Sequence, residues 1–256
     1  MAVPVPRLHV VCYNWGTKYG PTYVNRLRAM VARNLSVEHT FHCVSDSSEG
    51  FSSDVVMHEL PDLGVPGVWR KLMTFQPDFL GLAGEFVLIV DLDVVIVDNL
   101  DFVASNPQHD FVIARNWPRG RDRTRGSGCL YRLRIGSHVH VWDRFYTNIE
   151  AAIDQYYHHN RDFGEQNWLD ANISDFNYFA EWKVVSFKRH CNSRSKSFCG
   201  RMGRQLGLTT ALFSTAHVPE GAALVSFHGD PLPSDVRDGP YKCWKRAPFV
   251  AAHWRE

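Results

Sequence analysis

Residues Phe86-Val87-Leu88-Ile89-Val90 form an unbroken apolar run, which Asp91-Leu92-Asp93 interrupts and Val94-Val95-Ile96-Val97 resumes. Five consecutive apolar residues, mostly aromatic or branched, predict a strand covered on both faces, as central strands of parallel sheets are. Upstream, residues 7–13 read as a first strand. Pro21 then opens a helix with Val24, Leu27, Val31 and Leu35 on one face. Residues 40–44 and 55–57 read as further strands, and 68–75 as a helix leading into the central run. Downstream, strands are expected at 110–114, 129–135, 182–187 and 222–229. Helices are expected at 138–149, 150–159 and from 162 onward. A Pro-rich tail closes the chain. Strands alternating with helices predict an α/β fold built on a mostly parallel central sheet flanked by helices. No internal repeat or linker divides residues 1–256, so one domain is expected.

Two carboxylates at the end of a buried strand are costly unless compensated. In extended chain, positions i and i+2 point to the same side, so Asp91 and Asp93 would face one place. Ligands of open α/β sheets bind off the carboxyl ends of the strands. A divalent cation would accept these hard oxygens and could hold a diphosphate in turn. The alternative is a turn whose acids cap loop amides. No GxGxxG or GxxxxGK[ST] loop follows the first strand, which argues against a dinucleotide dehydrogenase or a P-loop enzyme. Arg70 and Lys71, beside Trp69, have the reach and charge for phosphate or sugar; a solvated basic helix face is the plainer reading.

The 256 residues are enough for a sizeable core, and 45% hydrophobic with 21% charged residues is ordinary for a globular enzyme. The net charge of +1 conceals two basic segments. Residues 115–134 hold arginines 115, 119, 121, 123, 125, 132 and 134 against the single acid Asp122. Residues 183–204 hold Lys or Arg at 183, 188, 189, 194, 196, 201 and 204 and no acid. Residues 120–128, rich in Gly and Arg, predict a mobile loop, and 129–135 a strand with one basic face. No apolar run is long enough to span a membrane, and the first residues lack the basic start and apolar core of a secretory signal. Six scattered cysteines without a CxxC pair suit free thiols in a reducing cytosol, so a cytoplasmic location is expected. His190-Cys191 with Cys199 fits no standard zinc spacing.

Four segments, in order, resemble motifs of the GT-A glycosyltransferases, and most closely glycosyltransferase family 8, the group of glycogenin-like and bacterial lipooligosaccharide galactosyltransferases. Asp91-Leu92-Asp93 looks like its DxD motif. Gly126-Ser127-Gly128-Cys129-Leu130 is similar to its Asn-x-Gly-Val-Leu segment, with Gly126 in place of Asn. Phe163-Gly164-Glu165-Gln166-Asn167-Trp168-Leu169 is similar to its Asp-Gln-Asp-x-Leu segment. Phe227-His228-Gly229-Asp230-Pro231-Leu232-Pro233 looks like its His-x-x-Gly-x-Lys-Pro-Trp segment, shortened and without the lysine.

The resemblance implies a single Rossmann-like GT-A domain, with a nucleotide-sugar half over about 1–100 and an acceptor half over about 101–256. It implies that Asp91, Asp93 and His228 bind Mn²⁺ (or Mg²⁺). It further implies that Tyr13, Asn14, Lys18, Asp46, Arg70, Lys71, Leu92 and Gly229 contact a nucleotide-sugar donor, in most relatives a UDP-sugar. Gln166 would lie near the sugar face opposite the leaving group and Glu165 would bond donor hydroxyls; the plainer reading of Glu165 is an acid stabilising a helix N-terminus. Retention of anomeric configuration follows from the same resemblance. The basic segments suggest an anionic saccharide or lipid-linked acceptor. Alternatives are DNA, as for phage enzymes that glycosylate hydroxymethylated bases, and two merely solvated loops. A non-catalytic nucleotide-sugar-binding module and a nucleotidyltransferase are the readings from other classes.

Overall fold

The protein is described by a computed structural model over residues 7–117, 125–157, 164–174, 176–192 and 214–256. By its internal contacts the chain forms two compact units. The first comprises residues 1–21, 37–91 and 102–179; the second comprises 22–36, 92–101 and 180–256. The halves expected from sequence divide near residue 100, whereas the units are interleaved along the chain.

The first unit is organised around the predicted central strand. Its strands are β1 (Leu8–Asn14), β2 (His39–Ser45), β3 (Val56–Glu59) and β4 (Phe86–Val90). In the second unit lie β5 (Val94–Ile96) and the helix α1 (Pro21–Asn34), whose first residue closes a segment of the first unit. β6 (Phe111–Arg115), β7 (Gly126–Arg134) and β8 (Asn177–Tyr178) return to the first unit. Its seven-stranded sheet runs β3-β2-β1-β4-β7-β6-β8. The pairings β1–β2, β1–β4, β2–β3 and β6–β8 are parallel, and β4–β7 and β6–β7 antiparallel, so the sheet is mostly parallel as expected. All five residues of β4 are buried, which is why the run contains no polar side chain. A 3-10 helix at Gly67–Phe75 and helices α2 (Val139–Thr147), α3 (Ile149–Tyr157) and α4 (Gly164–Asn172) share an aromatic core with the sheet. Trp69 stacks on Phe145 at 5.4 Å and 4°. A Cβ on Gly164 would lie 2.8 Å from the Trp69 ring, so glycine lets the start of α4 approach the 3-10 helix.

The second unit holds a three-stranded sheet in the order β5-β10-β9, where β9 is Val184–Ser186 and β10 is Leu224–Ser226. α1 buries Val24, Leu27 and Val31, the face predicted from its spacing, and Leu35 beyond it is also buried. A π-helical turn, Phe187–Cys191, follows β9. The tail read as Pro-rich coil contains α5 (Pro233–Arg237) and α6 (Pro248–His253), each opening on a proline. No helix among the described residues is long and apolar enough to cross a membrane.

Candidate active site

β4 ends at Val90, and the backbone N–H of Asp91 donates to Cys129 O on β7 at 3.0 Å. This bond fixes the first acid of the Asp-Leu-Asp segment against the Gly126–Arg134 strand. Residues 126–128 are therefore buried strand, not the mobile loop expected; the rest of that loop, 120–124, lies outside the described residues. Glycine carries no apolar signal, but neighbours fill its space. A Cβ on Gly126 would stand 2.6 Å from Ile113 Cδ1 and 2.8 Å from Phe176.

From the 3-10 helix, buried Lys71 extends its ammonium to meet three of the singled-out segments. Lys71 Nζ lies 2.9 Å from Asp91 Oδ1, 2.8 Å from Gly128 O and 3.4 Å from Glu165 Oε2. Burial alone would lower the lysine pKa, but the carboxylates of Asp91 and Glu165 more than reverse it, and the group stays charged. Asp91 is the closer partner and holds most of that charge. Glu165, fully inside, is pushed up to about 7 by burial, against the pull of Lys71 and with the push of Asp91. A Cβ on Gly128 would meet both Glu165 oxygens at 3.3 Å and Lys71 Nζ at 3.4 Å, so only glycine leaves the pair this room.

Below the ammonium, Thr74 Oγ1 donates to Lys71 O at 2.8 Å and meets Tyr13 Oη at 2.6 Å, while Tyr131 Oη donates to it at 3.5 Å. Thr74 and Tyr131 were given no role from sequence, and Gly128 was read only as part of the 126–130 segment. Among the described residues, the buried side-chain atoms without a hydrogen-bond partner include Asn14 Oδ1, Trp69 Nε1, Glu165 Oε1, Gln166 Oε1 and Asn167 Nδ2. Buried polar groups are nearly always satisfied, so Glu165 Oε1, on the carboxylate beside Lys71, and Gln166 Oε1, on the next residue of α4, are candidates for a ligand's hydrogen bonds.

The remaining donor candidates of this unit divide. Asp46 Oδ2 accepts from Gly16 N–H at 2.8 Å and ties down the loop after β1. Lys18 Nζ lies 4.6 Å from the Tyr19 ring centroid. Arg70 Nε donates to Val65 O at 3.1 Å, so its guanidinium braces the preceding loop.

In the second unit, Asp93 and the 228–229 segment are brought together. Phe227 N–H donates to Asp93 O at 3.0 Å and Gly229 N–H to Asp93 Oδ2 at 3.1 Å. His228 has φ 40, in the left-handed region, and Gly229 has φ 92. His228 is anchored at its ring, where Nε2 meets Ser186 Oγ at 2.6 Å, and at its carbonyl, which accepts from Lys188 Nζ at 3.0 Å. Partial burial, then the Lys188 and Arg189 cations, press its pKa down to about 4, so the imidazole is neutral at neutral pH. Leu92 is buried and apolar.

Two carboxylates and a neutral imidazole are a donor set that suits Mn²⁺, and bonds such as Gly229 N–H to Asp93 are the kind that orient metal ligands. Among the described residues, no group of three or more His, Cys, Asp or Glu side chains is close enough to hold a metal ion.

The described arginines of the first basic segment serve the fold. Arg132, read as part of a basic face, is fully buried; its guanidinium donates to Val103 O, Ser105 O, Asn106 O and His109 O at 2.7–3.2 Å. Arg125 donates to Asp170, Ile173 and Ser174 carbonyls, capping the end of α4. Arg134 pairs with Asp110 Oδ1 at 2.7 Å, and Arg115 lies over the Tyr178 ring at 4.0 Å. Arg119, Arg121, Arg123, Arg194, Lys196, Arg201 and Arg204 lie outside the described residues, as does Cys199.

No protein-family model matches the chain, and no curated protein matches it in sequence. Solved structures do. The galactosyltransferase LgtC, in complex with donor and acceptor sugar analogues, superposes with a TM-score of 0.59 at 12% identity, over 96% of this chain and 96% of LgtC. The glycosyltransferase GlyE of Streptococcus pneumoniae TIGR4 gives 0.57 at 9% identity, over 88% of this chain and 56% of GlyE. The bifunctional glycosyltransferase WbbM gives 0.55 at 8% identity, over 98% of this chain and 50% of WbbM. The chain therefore has the GT-A fold of glycosyltransferases, the class its segments resemble. Within that class it is similar to LgtC along nearly the whole of both chains, and it spans about half the length of GlyE and WbbM.

Proposed function

We propose that this chain is a glycosyltransferase that takes a sugar from a nucleotide sugar, a UDP-sugar by preference, and passes it with retention to a saccharide or lipid-linked acceptor. One observation carries the reading. Lys71 draws Asp91, Gly128 and Glu165, from three separately recognised segments, to a single buried ammonium beside unpartnered acceptors.

In this reading Asn14 and the loop held by Asp46 receive the nucleoside. Glu165 Oε1 and Gln166 Oε1 are buried acceptors, complementary to sugar hydroxyls, which donate. Gln166 presents a carbonyl dipole, which stabilises positive charge developing at the anomeric carbon. An amide oxygen is a poor nucleophile, so attack on the same face as the departing phosphate is the favoured route to retention. LgtC has also been solved as an active-site mutant in which glutamate replaces a glutamine, which supports a functional glutamine in that protein. Lys71 is a positioning residue: its ammonium is spent on protein partners, and it holds the Asp91 and Glu165 carboxylates around one charge.

For the metal, Asp91, Asp93 and His228 are proposed as ligands on the chemistry of their donor atoms alone, since among the described residues no three such side chains lie close enough to hold an ion. A bound divalent cation would neutralise the diphosphate as it leaves. Arg125, Arg132 and Arg134 do not favour a DNA acceptor, since their guanidinium groups are engaged by the protein itself. The test is hydrolysis and transfer from a panel of UDP-sugars, with the product anomer read by proton NMR. Transfer with retained configuration, lost in Gln166→Ala, supports the reading; an inverted product or no turnover of any nucleotide sugar refutes it.

A further inference from the structure

The second unit carries a tryptophan for which packing gives no account. Trp182 is 58% exposed, the largest exposure among the big apolar side chains described, and its φ of 65 lies in the left-handed region. A single exposed apolar residue is normal on a protein surface. A bulky aromatic held in left-handed backbone is not, and such outliers gather at binding sites, where the surroundings over-determine them.

Those surroundings are visible. The indole stands edge-on to the His190 ring, 5.7 Å between centroids at 88°. His190 is itself fixed, because its Nδ1 accepts from Ser186 N–H at 2.9 Å. Ser186 Oγ in turn meets His228 Nε2 at 2.6 Å. An unbroken line of contacts inside one unit thus runs from the exposed indole to His228, a proposed donor-site residue.

A flat, half-exposed aromatic ring matches the chemistry of a pyranose. The axial C–H groups of a sugar ring cover the apolar face, and its hydroxyls reach the polar rim. We propose that Trp182 is the stacking platform of the acceptor-saccharide subsite, with His190 as the residue that positions it. This rests on the glycosyltransferase reading above, and it adds a residue that none of the four sequence motifs contains. The occupant is a sugar ring of the acceptor; a stacked base of single-stranded nucleic acid is the rival occupant.

The experiment is binding of the full chain to an array of neutral and acidic oligosaccharides and to a single-stranded oligonucleotide, for wild type, Trp182→Ala and Trp182→Phe. UDP binding by calorimetry is measured in parallel on all three. The expected result is saccharide binding weakened about tenfold by Trp182→Ala, largely restored by Trp182→Phe, with UDP affinity unchanged. Saccharide binding equal in wild type and Trp182→Ala would overturn the proposal. So would a wild-type protein that binds no saccharide, or one that uses Trp182 for the oligonucleotide instead. Loss of UDP binding in the wild type would count against the donor reading alone, because the saccharide result is read separately.

Discussion

Lys71 Nζ and Asp91 Oδ1 lie 2.9 Å apart, with the lysine side chain 5% and the aspartate 33% exposed. The pair joins the 3-10 helix to the end of the central strand. The aspartate carboxylate is partly open to solvent while the ammonium is enclosed by protein. A buried cation with carboxylates on two sides is stable only while all three are present.

Removing the cation should therefore be costly. Lys71→Met leaves Asp91 and buried Glu165 without their counter-charge, and stability should fall by roughly 3–5 kcal/mol. Urea denaturation measures this. Asp91→Asn, which keeps Glu165 as a partner for the lysine, should cost clearly less.

Glu165 sets a pH dependence. Its folded-state value of about 7 stands above the ordinary 4.5, so the folded protein holds this proton more tightly than the unfolded chain. Its contribution to stability therefore falls as pH rises from about 4.5 to about 7. The ionised form is the better acceptor for donor hydroxyls, so donor kcat/KM should rise through about pH 7. In Glu165→Gln both slopes should flatten, as read by denaturation and by initial rates across pH 5–9. An unchanged rate profile in that variant would show that Glu165 has no part in donor binding.

Arg132 should behave as a structural residue. Its guanidinium caps four carbonyls of the 103–109 loop, and burial, with the Arg134 cation, lowers its pKa to about 10 against the pull of Asp110, still cationic at neutral pH. Arg132→Met should destabilise by roughly 3 kcal/mol through orphaned carbonyls. Acceptor binding measured on the remaining folded protein, and its salt dependence, should not change.

Much of this arrangement was legible in sequence, for identifiable reasons. β4 is an unbroken apolar run and the buried face of α1 has strong helical periodicity, and both came out as expected. Asp91 and Lys71 were legible as candidates because charged side chains beside apolar runs are conspicuous; Glu165 and Gln166 were candidates through the resemblance of the 163–169 segment. Their convergence was not, since it depends on β7 lying against β4 and on Gly128 and Gly164 admitting close neighbours. Arg132 shows the opposite failure. The strand at β7 was right, but its expected alternation was not, since residues 126–133 are all buried, and carbonyl compensation of a buried charge has no sequence signature. The two C-terminal helices were missed because prolines at 233 and 248 read as coil when they are first-turn residues.

The most direct test of the central claim is calorimetric titration of UDP into the full chain, first with Mn²⁺ and then with EDTA, for wild type and Asp93→Ala. The account predicts binding that requires the metal and is lost in the variant. No UDP binding under either condition, or binding indifferent to both EDTA and Asp93→Ala, would contradict it and return the acidic pair to the role of a turn.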